Sequence, residues 1–456
     1  MIQQSGREPL IHGLGEWDMP EGQAVSEIRP PSRPSTVEET GIENAMLLSL
    51  VVKAMYTLGL ERASTLSEHV KLSASIVTTI LEEMNDLALV ESRGLAGSDL
   101  SSELRYSLSD KGKAWALDAM RQSQYIGPAP VPLDDFCNQV YGQRVAVEHI
   151  GPKILADSLS DLILSKELIQ QIGPAANSAK SILLYGPPGN GKTRIAEAIG
   201  ASFNQTIYIP YSIEIGGQII NFFDPTVHEP VGDFEDTPET ESLVPRGKLA
   251  TDARWVPCRR PVVKTGGELT LDQLELQYSP SSKFYEAPLH LKALGGVFVV
   301  DDFGRQKDSP QSILNRWIVP LEREVDYLTL HTGKKFPIPF DELVIFSTNI
   351  PPAELTDEAA LRRLYYKIEV PKPTREDFVT IFKQVCADSD IEYSDTMVKF
   401  LFKERYDKLN EEPSAFHPRF FIDQVISMCE YYEIPVQVNK ETLAHAWRNF
   451  YVSYHG

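Results

Sequence analysis

Apolar side chains at Met46, Leu47, Leu50, Val51, Ala54 and Leu58 recur at helical spacing and predict a first helix starting just after Ile42. The stretch before it, residues 1–40, shows little periodicity and holds five prolines and four glycines, so it is expected to be a disordered leader. Leu66 to Val70 predicts a short second helix. Ser73 can cap a third, whose apolar face is Ile76, Val77, Ile80, Leu81, Met84 and Leu87. Two strand-like runs at 88–93 and 103–108 flank a Gly/Ser turn, and Asp110 opens a closing helix through Met120. Helices and a two-stranded ribbon in this order predict a winged helix-turn-helix over 41–122.

GPAPVPL at 127–133 reads as a stiff proline-rich spacer inside an expected linker of 123–139. From 140 to 371 strand-like apolar runs alternate with helical segments, the pattern of an α/β core, with an insertion expected at about 215–290. Beyond Pro371 and Pro373 the periodicity is helical, so 372–456 is expected to be a separate helical unit.

Composition narrows the classes of function. The chain has 456 residues, 42% of them apolar, enough for several domains with buried cores. Its 44 basic and 64 acidic residues leave a net charge of −20, which excludes a global electrostatic footprint for nucleic acid or an anionic membrane. Residues 42–121 carry eight basic and eleven acidic side chains, and the helix from Ser73 to Asp86 has three carboxylates and no Lys or Arg. Such a face repels phosphate, so a protein-docking module is favoured over a DNA reader. Cys137, Cys258, Cys386 and Cys429 form no CxxC pair and fit a reducing compartment. No basic stretch followed by an apolar core opens the chain, and no apolar run approaches ~18–20 residues; no signal peptide or membrane insertion is predicted, and a cytoplasmic location is expected.

The strongest chemical signal is SILLYGPPGNGKT at 181–193: a short apolar strand, a glycine-rich turn and the opening of a helix. This is G-x-x-x-x-G-K-[ST] in its strand–loop–helix setting, in which glycines let main-chain N–H groups converge on phosphates at the positive end of a helix. The candidate nucleotide-binding set is Gly186, Pro187, Pro188, Gly189, Asn190, Gly191, Lys192, Thr193 and Arg194, with Lys192 for the β/γ-phosphates and the Thr193 hydroxyl for Mg²⁺. GGVFVVDDFGR at 295–305 predicts a buried strand ending in two carboxylates: Asp301 to hold Mg²⁺, Asp302 to orient and activate the attacking water. ELVIFSTNIPP at 342–352 predicts another buried strand with Asn349 at its carboxyl end, where ligands of open α/β sheets bind. Its amide there can bond both the attacking water and the γ-phosphate.

In this order the motifs resemble the AAA+ ATPases, over roughly 140–455. Residues 186–193 resemble Walker A, 297–302 Walker B and Asn349 sensor 1. DEAALRRLYYKIEV at 357–370 resembles the segment that carries the arginine finger, and AFHPRFFIDQV at 415–425 the lid helix with sensor 2, placing Arg419 there. The resemblance implies a P-loop AAA+ core, a five-stranded parallel sheet flanked by helices, followed by a helical lid. It also implies ATP and Mg²⁺ as ligands, and a self-assembled ring, usually a hexamer. Arg362 or Arg363 would then reach a neighbour's γ-phosphate, with Arg316 and Arg323 as rivals. FYEAPLHLKALGGVFVVDD, and a hairpin around 331–335 ahead of the sensor strand, resemble the MoxR-like, magnesium-chelatase-like and enhancer-binding branch. The Gly-Ala-Phe-Thr-Gly-Ala element of enhancer-binding activators is absent from the sequence.

Walker B usually ends Asp-Glu, and here Asp302 replaces the Glu. One methylene less draws the base back by roughly 1.5 Å, which predicts slow or partner-stimulated hydrolysis. The insertion divides into an acidic run at 224–241, with seven acids and no Lys or Arg, and a basic run at 246–264 with six bases against Asp252. The two halves either pair with each other or a neighbour, the reading preferred here, or the basic half plus Trp255 forms a surface for an acidic substrate or nucleic acid. The aromatic run of Tyr431, Tyr432, Trp447, Phe450, Tyr451 and Tyr454 reads as lid packing. The expected function is an ATPase that remodels or assembles a protein complex through pore insertions and a winged-helix adaptor. The alternatives are an ATP-dependent nucleic-acid regulator and a slow nucleotide-gated switch.

Overall fold

The computed structural model describes residues 28–95, 103–232 and 251–450. Expectations for 1–27, 96–102, 233–241, Arg246, Lys248, Tyr451 and Tyr454 lie outside these residues.

Helices α1 (Asn44–Leu58), α2 (Ala63–Val70) and α3 (Ala74–Asp86) precede an antiparallel ribbon of Val90–Leu95 and Leu104–Leu108, and α4 (Asp110–Gln122) follows it. Both long stripes are buried: Leu47, Leu50, Val51 and Ala54 on α1, and Ile76, Val77, Ile80, Leu81 and Met84 on α3. Leu58 and Leu87 drop out of these faces because each sits at a helix end, and both are exposed. Ser73 Oγ accepts the Ile76 N–H as the cap of α3.

The proline-rich segment is not a spacer. Ala129 and Val131 are fully buried, the Ala129 N–H bonds Val70 O at 2.7 Å, and Val131–Pro132 pairs with Ser212–Ile215 in a second sheet. Proline fixes φ along this segment, while the apolar residues between the prolines find a surface to cover. Leu133–Gly142, most of it expected as linker, is a helix. Buried Lys53 of α1 donates to Ser123 O at 3.0 Å and Tyr125 O at 2.7 Å, and Tyr125 Oη lies 2.9 Å from Ser212 Oγ. These bonds fasten the N-terminal helices to the second sheet.

Burial lowers the Lys53 ammonium from 10.5 to about 8. Above pH 8 the unfolded chain therefore binds more protons than the folded one, and stability from this group rises as the pH rises; below pH 8 its burial penalty is constant. Urea denaturation should show the wild type gaining stability relative to Lys53→Met between pH 8 and 10. Parallel profiles would contradict the assignment.

The α/β core is a parallel sheet of five strands: β1 (Ile182–Tyr185), β2 (Val262–Thr265), β3 (Val297–Val300), β4 (Leu343–Thr348) and β5 (Tyr366–Glu369). Their order is β5-β1-β4-β3-β2. β3 and β4 are buried throughout, as expected for strands covered on both faces. Helices flank the sheet, including Lys166–Asn177 and Lys192–Ala201. This is the α/β architecture of a P-loop AAA+ core.

The insertion is not one block at 215–290, because core strand β2 lies inside that range. After the helix Lys192–Ala201 the chain forms Thr206–Pro210, antiparallel to Trp255–Arg259, and the hairpin Ser212–Ile215/Gln218–Asn221, then returns for β2. It leaves again to add Gln277–Tyr278 and Tyr285–Glu286 to the second sheet. With four residues and a Lys in it, β2 carried too weak an apolar signal to stand out from the basic run. The hairpin before β4 consists of Val325–Thr329 and Lys335–Pro339.

Of the four described bases in the basic half of the insertion, Arg259 and Lys264 are exposed but each is paired with an acid, Glu229 and Glu197, and the other two are buried. Arg254 and Arg260 are 2% and 5% exposed and Trp255 is 4% exposed. Arg254 pairs with Asp252 and bonds Thr40 O and Pro130 O; Arg260 pairs with Glu148 and bonds Gln143 O and Gly295 O. Each guanidinium satisfies buried carbonyls, which compensates for burying its charge.

Helices Arg375–Asp388, Asp395–Leu401, His417–Tyr431 and Lys440–Phe450 close the described chain around Phe378, Phe382, Tyr406, Phe421 and Trp447. Of the aromatic run, Trp447 and Phe450 pack into this core, whereas Tyr431 and Tyr432 are 80% and 58% exposed. Among the described residues, no helix is long and apolar enough to cross a membrane.

Candidate functional site

The chain leaves the carboxyl end of β1 into the loop 186–191 and enters the helix Lys192–Ala201. Gly186, Gly189 and Gly191 have φ of 137°, 75° and 82°. At Gly186 a Cβ would lie 2.4 Å from Val370 O, and at Gly189 2.1 Å from the Phe416 ring, so both close approaches need glycine. No acceptor among the described residues meets the main-chain N–H groups of Gly189, Asn190, Gly191, Lys192, Thr193 or Arg194. Six free donors at the amino end of a ten-residue helix fit an oligophosphate.

Lys192 is 6% exposed. Its ammonium donates to Gly186 O at 2.9 Å, Pro187 O at 2.8 Å and Asn349 Oδ1 at 2.7 Å. Burial lowers its pKa, and the Asp301 and Asp302 carboxylates act against that shift. Thr193 Oγ1 donates to Asp301 Oδ2 at 2.8 Å, bringing the first turn of the helix against the end of β3. These two oxygens suit Mg²⁺, which takes one or two protein oxygens and fills the rest of its shell from phosphate and water. Among the described residues no cluster of three or more His, Cys, Asp or Glu offers an all-protein metal cage.

Asp302 has φ 47°, in the left-handed region, where Asp and Asn are tolerated better than Glu. The backbone thus gives a reason for the shorter carboxylate that the sequence did not disclose. Asn349, just past β4, bridges the site: it accepts from Lys192, and its Nδ2 donates to Asp302 Oδ1 at 3.3 Å. Lys192, Thr193, Asp301, Asp302 and Asn349 therefore share the carboxyl edge of the sheet.

The C-terminal helical segment touches the loop directly. The Phe416 N–H bonds Gly189 O at 3.0 Å, and the Ala415 N–H bonds Asn190 Oδ1 at 3.1 Å. Arg419 is exposed one turn further along and pairs with Asp423, so the structure does not bring it onto the loop. Arg194 is exposed and has no bonded partner among the described residues.

Arg362 and Arg363 precede β5 at the amino edge of the sheet, the side opposite the loop. The Arg363 carbonyl accepts Ser181 Oγ at 3.1 Å, and from Ser181 to Gly186 the chain runs roughly 16 Å at ~3.3 Å per residue. Arg363 pairs with Glu322, while Arg362 and Arg323 are exposed without a bonded partner among the described residues. Arg316 is committed: it grips buried Asp326 through both terminal nitrogens and Glu275 through Nε.

Part of the chain is similar to a protein of Corynebacterium jeikeium (strain K411) named as an AAA ATPase forming ring-shaped complexes, with 30% identity over 134 residues. That match spans 28% of this chain and about a quarter of the relative's length, 24%. Residues 374–449, in the C-terminal helices, match a family described as a domain of unknown function, DUF8689. Among solved structures, the Thermotoga maritima RuvB Holliday junction branch migration motor aligns with 71% of this chain and 72% of its own, at 14% identity and a TM-score of 0.34. NtrX from Brucella abortus aligns with 63% of this chain and 57% of its own, at 14% identity and a TM-score of 0.38. A five-stranded parallel sheet with a glycine-rich loop at its carboxyl edge, together with the similarity to an AAA ATPase, supports an AAA+ ATPase.

Proposed function

We propose that the protein binds Mg²⁺·ATP at 186–194 and hydrolyses it to drive remodelling or assembly of a protein complex, in the manner of MoxR-like ATPases. The observation that carries this reading is the meeting of six unbonded N–H groups and Lys192 with Asp301, Asp302 and Asn349 at one sheet edge. The N–H groups and Lys192 would bind the phosphates. Thr193 and Asp301 would hold Mg²⁺, which neutralises charge on the β- and γ-phosphates. Asp302 would orient water and take its proton, and Asn349 would position that water against the γ-phosphate.

A ring is supported by the name of the C. jeikeium relative and by the placement of Arg362 and Arg363. On the sheet edge away from their own loop, these side chains would serve a neighbour's site. Arg362→Ala or Arg363→Ala should leave ATP binding intact while lowering turnover of the assembled protein by roughly 10³-fold, the lower end for an arginine finger. Loss in Arg323→Ala alone would move the assignment. Arg316→Ala should instead destabilise the fold, because it strands buried Asp326.

A protein partner is favoured for the N-terminal unit. Ser75, Thr79, Glu82 and Asp86 lie exposed on the outward side of α3, which has no Lys or Arg. The slow-switch reading has its own support: Asp302 is short and is bonded to Asn349. Steady-state phosphate release with and without candidate partner proteins separates the two readings.

A further inference from the structure

We infer that Gln306 is a positioning residue: its side-chain amide clamps the turn that presents Asp302. This rests on the proposed nucleotide reading and adds a residue outside every motif in the sequence.

The polar main-chain groups of the turn that follows β3 are held mostly by bonds within it and to the neighbouring strands. The Asp301 N–H bonds Thr265 O at 2.7 Å, and the Asp302 N–H bonds Asp301 Oδ1 at 3.0 Å. Asp302 O accepts the Arg305 N–H at 2.9 Å, and the Phe303 N–H bonds Ser347 O at 2.7 Å. Phe303 O accepts Thr348 Oγ1 at 2.6 Å. Among the groups these leave open are Asp301 O and the Gly304 N–H, and one side chain closes both. Gln306 Nε2 donates to Asp301 O at 3.1 Å, and Gln306 Oε1 accepts the Gly304 N–H at 2.8 Å. The second Nε2 proton goes to Gly266 O, also at 3.1 Å, just beyond β2.

Three features make this a clamp and not incidental packing. Gln306 is 8% exposed, so each lost bond would leave a buried polar group unpaired. The bonds enclose Asp302 and Gly304, whose φ of 47° and 103° place the turn in a left-handed conformation that a non-glycine residue holds only under constraint. The bond to Gly266 anchors the turn to a different strand, so the position of the Asp302 carboxylate is referred to the sheet and not to its own flexible loop.

The test is a pair of variants of the full chain, read by steady-state ATP hydrolysis and by equilibrium binding of a fluorescent ATP analogue with Mg²⁺. Gln306→Leu removes all three bonds and should lower kcat by ~10²-fold, the loss expected for a catalytic group displaced by about 1 Å. Analogue affinity should stay within ~3-fold of the wild type, since the phosphate loop is untouched. Gln306→Glu keeps the acceptor for Gly304 but disrupts the donated bonds, and should fall between the two; if the leucine variant does not fold, this one carries the test. In an Asp302→Asn background, Gln306→Leu should remove no further activity, because it acts through Asp302. Unchanged kcat, an affinity loss matching the kcat loss, or a full additional loss in the Asp302→Asn background would overturn the proposal. Failure of the nucleotide reading is separately visible: the wild type itself would not bind the analogue.

Discussion

Lys192→Ala is expected to abolish measurable binding of Mg²⁺·ATP at micromolar protein. The ammonium is almost fully buried and sits among Gly186 O, Pro187 O and Asn349 Oδ1, within the loop that would cradle the phosphates. Removing one partner of a desolvated charge pair costs about 2–5 kcal/mol, roughly 30- to 4,000-fold in affinity. The three groups it leaves behind border a loop open to solvent, so the fold should survive. Isothermal titration with ATP and Mg²⁺, beside a thermal melt, checks both halves of the expectation. Wild-type affinity in a folded Lys192→Ala protein would remove Lys192 from the site.

Asp302→Asn should do the opposite: keep binding and stop turnover. Asn retains the side-chain shape and, like Asp, tolerates the left-handed backbone of φ 47°, so the turn should not move. What is lost is the carboxylate that would accept a proton from water, a contribution of typically 10²–10⁴-fold. Phosphate release in single-turnover mixing should fall by that factor while titration with ATP gives the wild-type affinity. Full turnover in this variant would dismiss Asp302 as the base. The same variant in ATP offers a trapped state for capturing the protein partner.

Some of this was legible in the sequence because it is local. The loop at 186–193 is a contiguous string whose chemistry follows from spacing, and β3 and β4 are unbroken apolar runs ending in Asp301 and Asn349. The stripes of α1 and α3 were equally plain, since burial on one face imposes a period. What stayed hidden depends on contacts far apart in sequence. Strand β2 is short, and only its pairing with β3 identifies it. Ala129 and Val131 look like spacer residues until the N-terminal helical core takes in the first and the strand at 212–215 pairs with the second. Arg254 and Arg260 read as surface charge because their partners, Thr40, Pro130, Gln143 and Glu148, lie more than a hundred residues away. The left-handed turn at Asp302 and its Gln306 clamp have no sequence signature.

The most direct measurement is a structure of the full chain with a non-hydrolysable ATP analogue and Mg²⁺. The account predicts the β- and γ-phosphates against the N–H groups of residues 189–193, Lys192 turned from Asn349 toward phosphate oxygen, and the metal beside Thr193 and Asp301. An analogue bound elsewhere, or a folded protein that leaves the loop empty at saturating analogue, would contradict it.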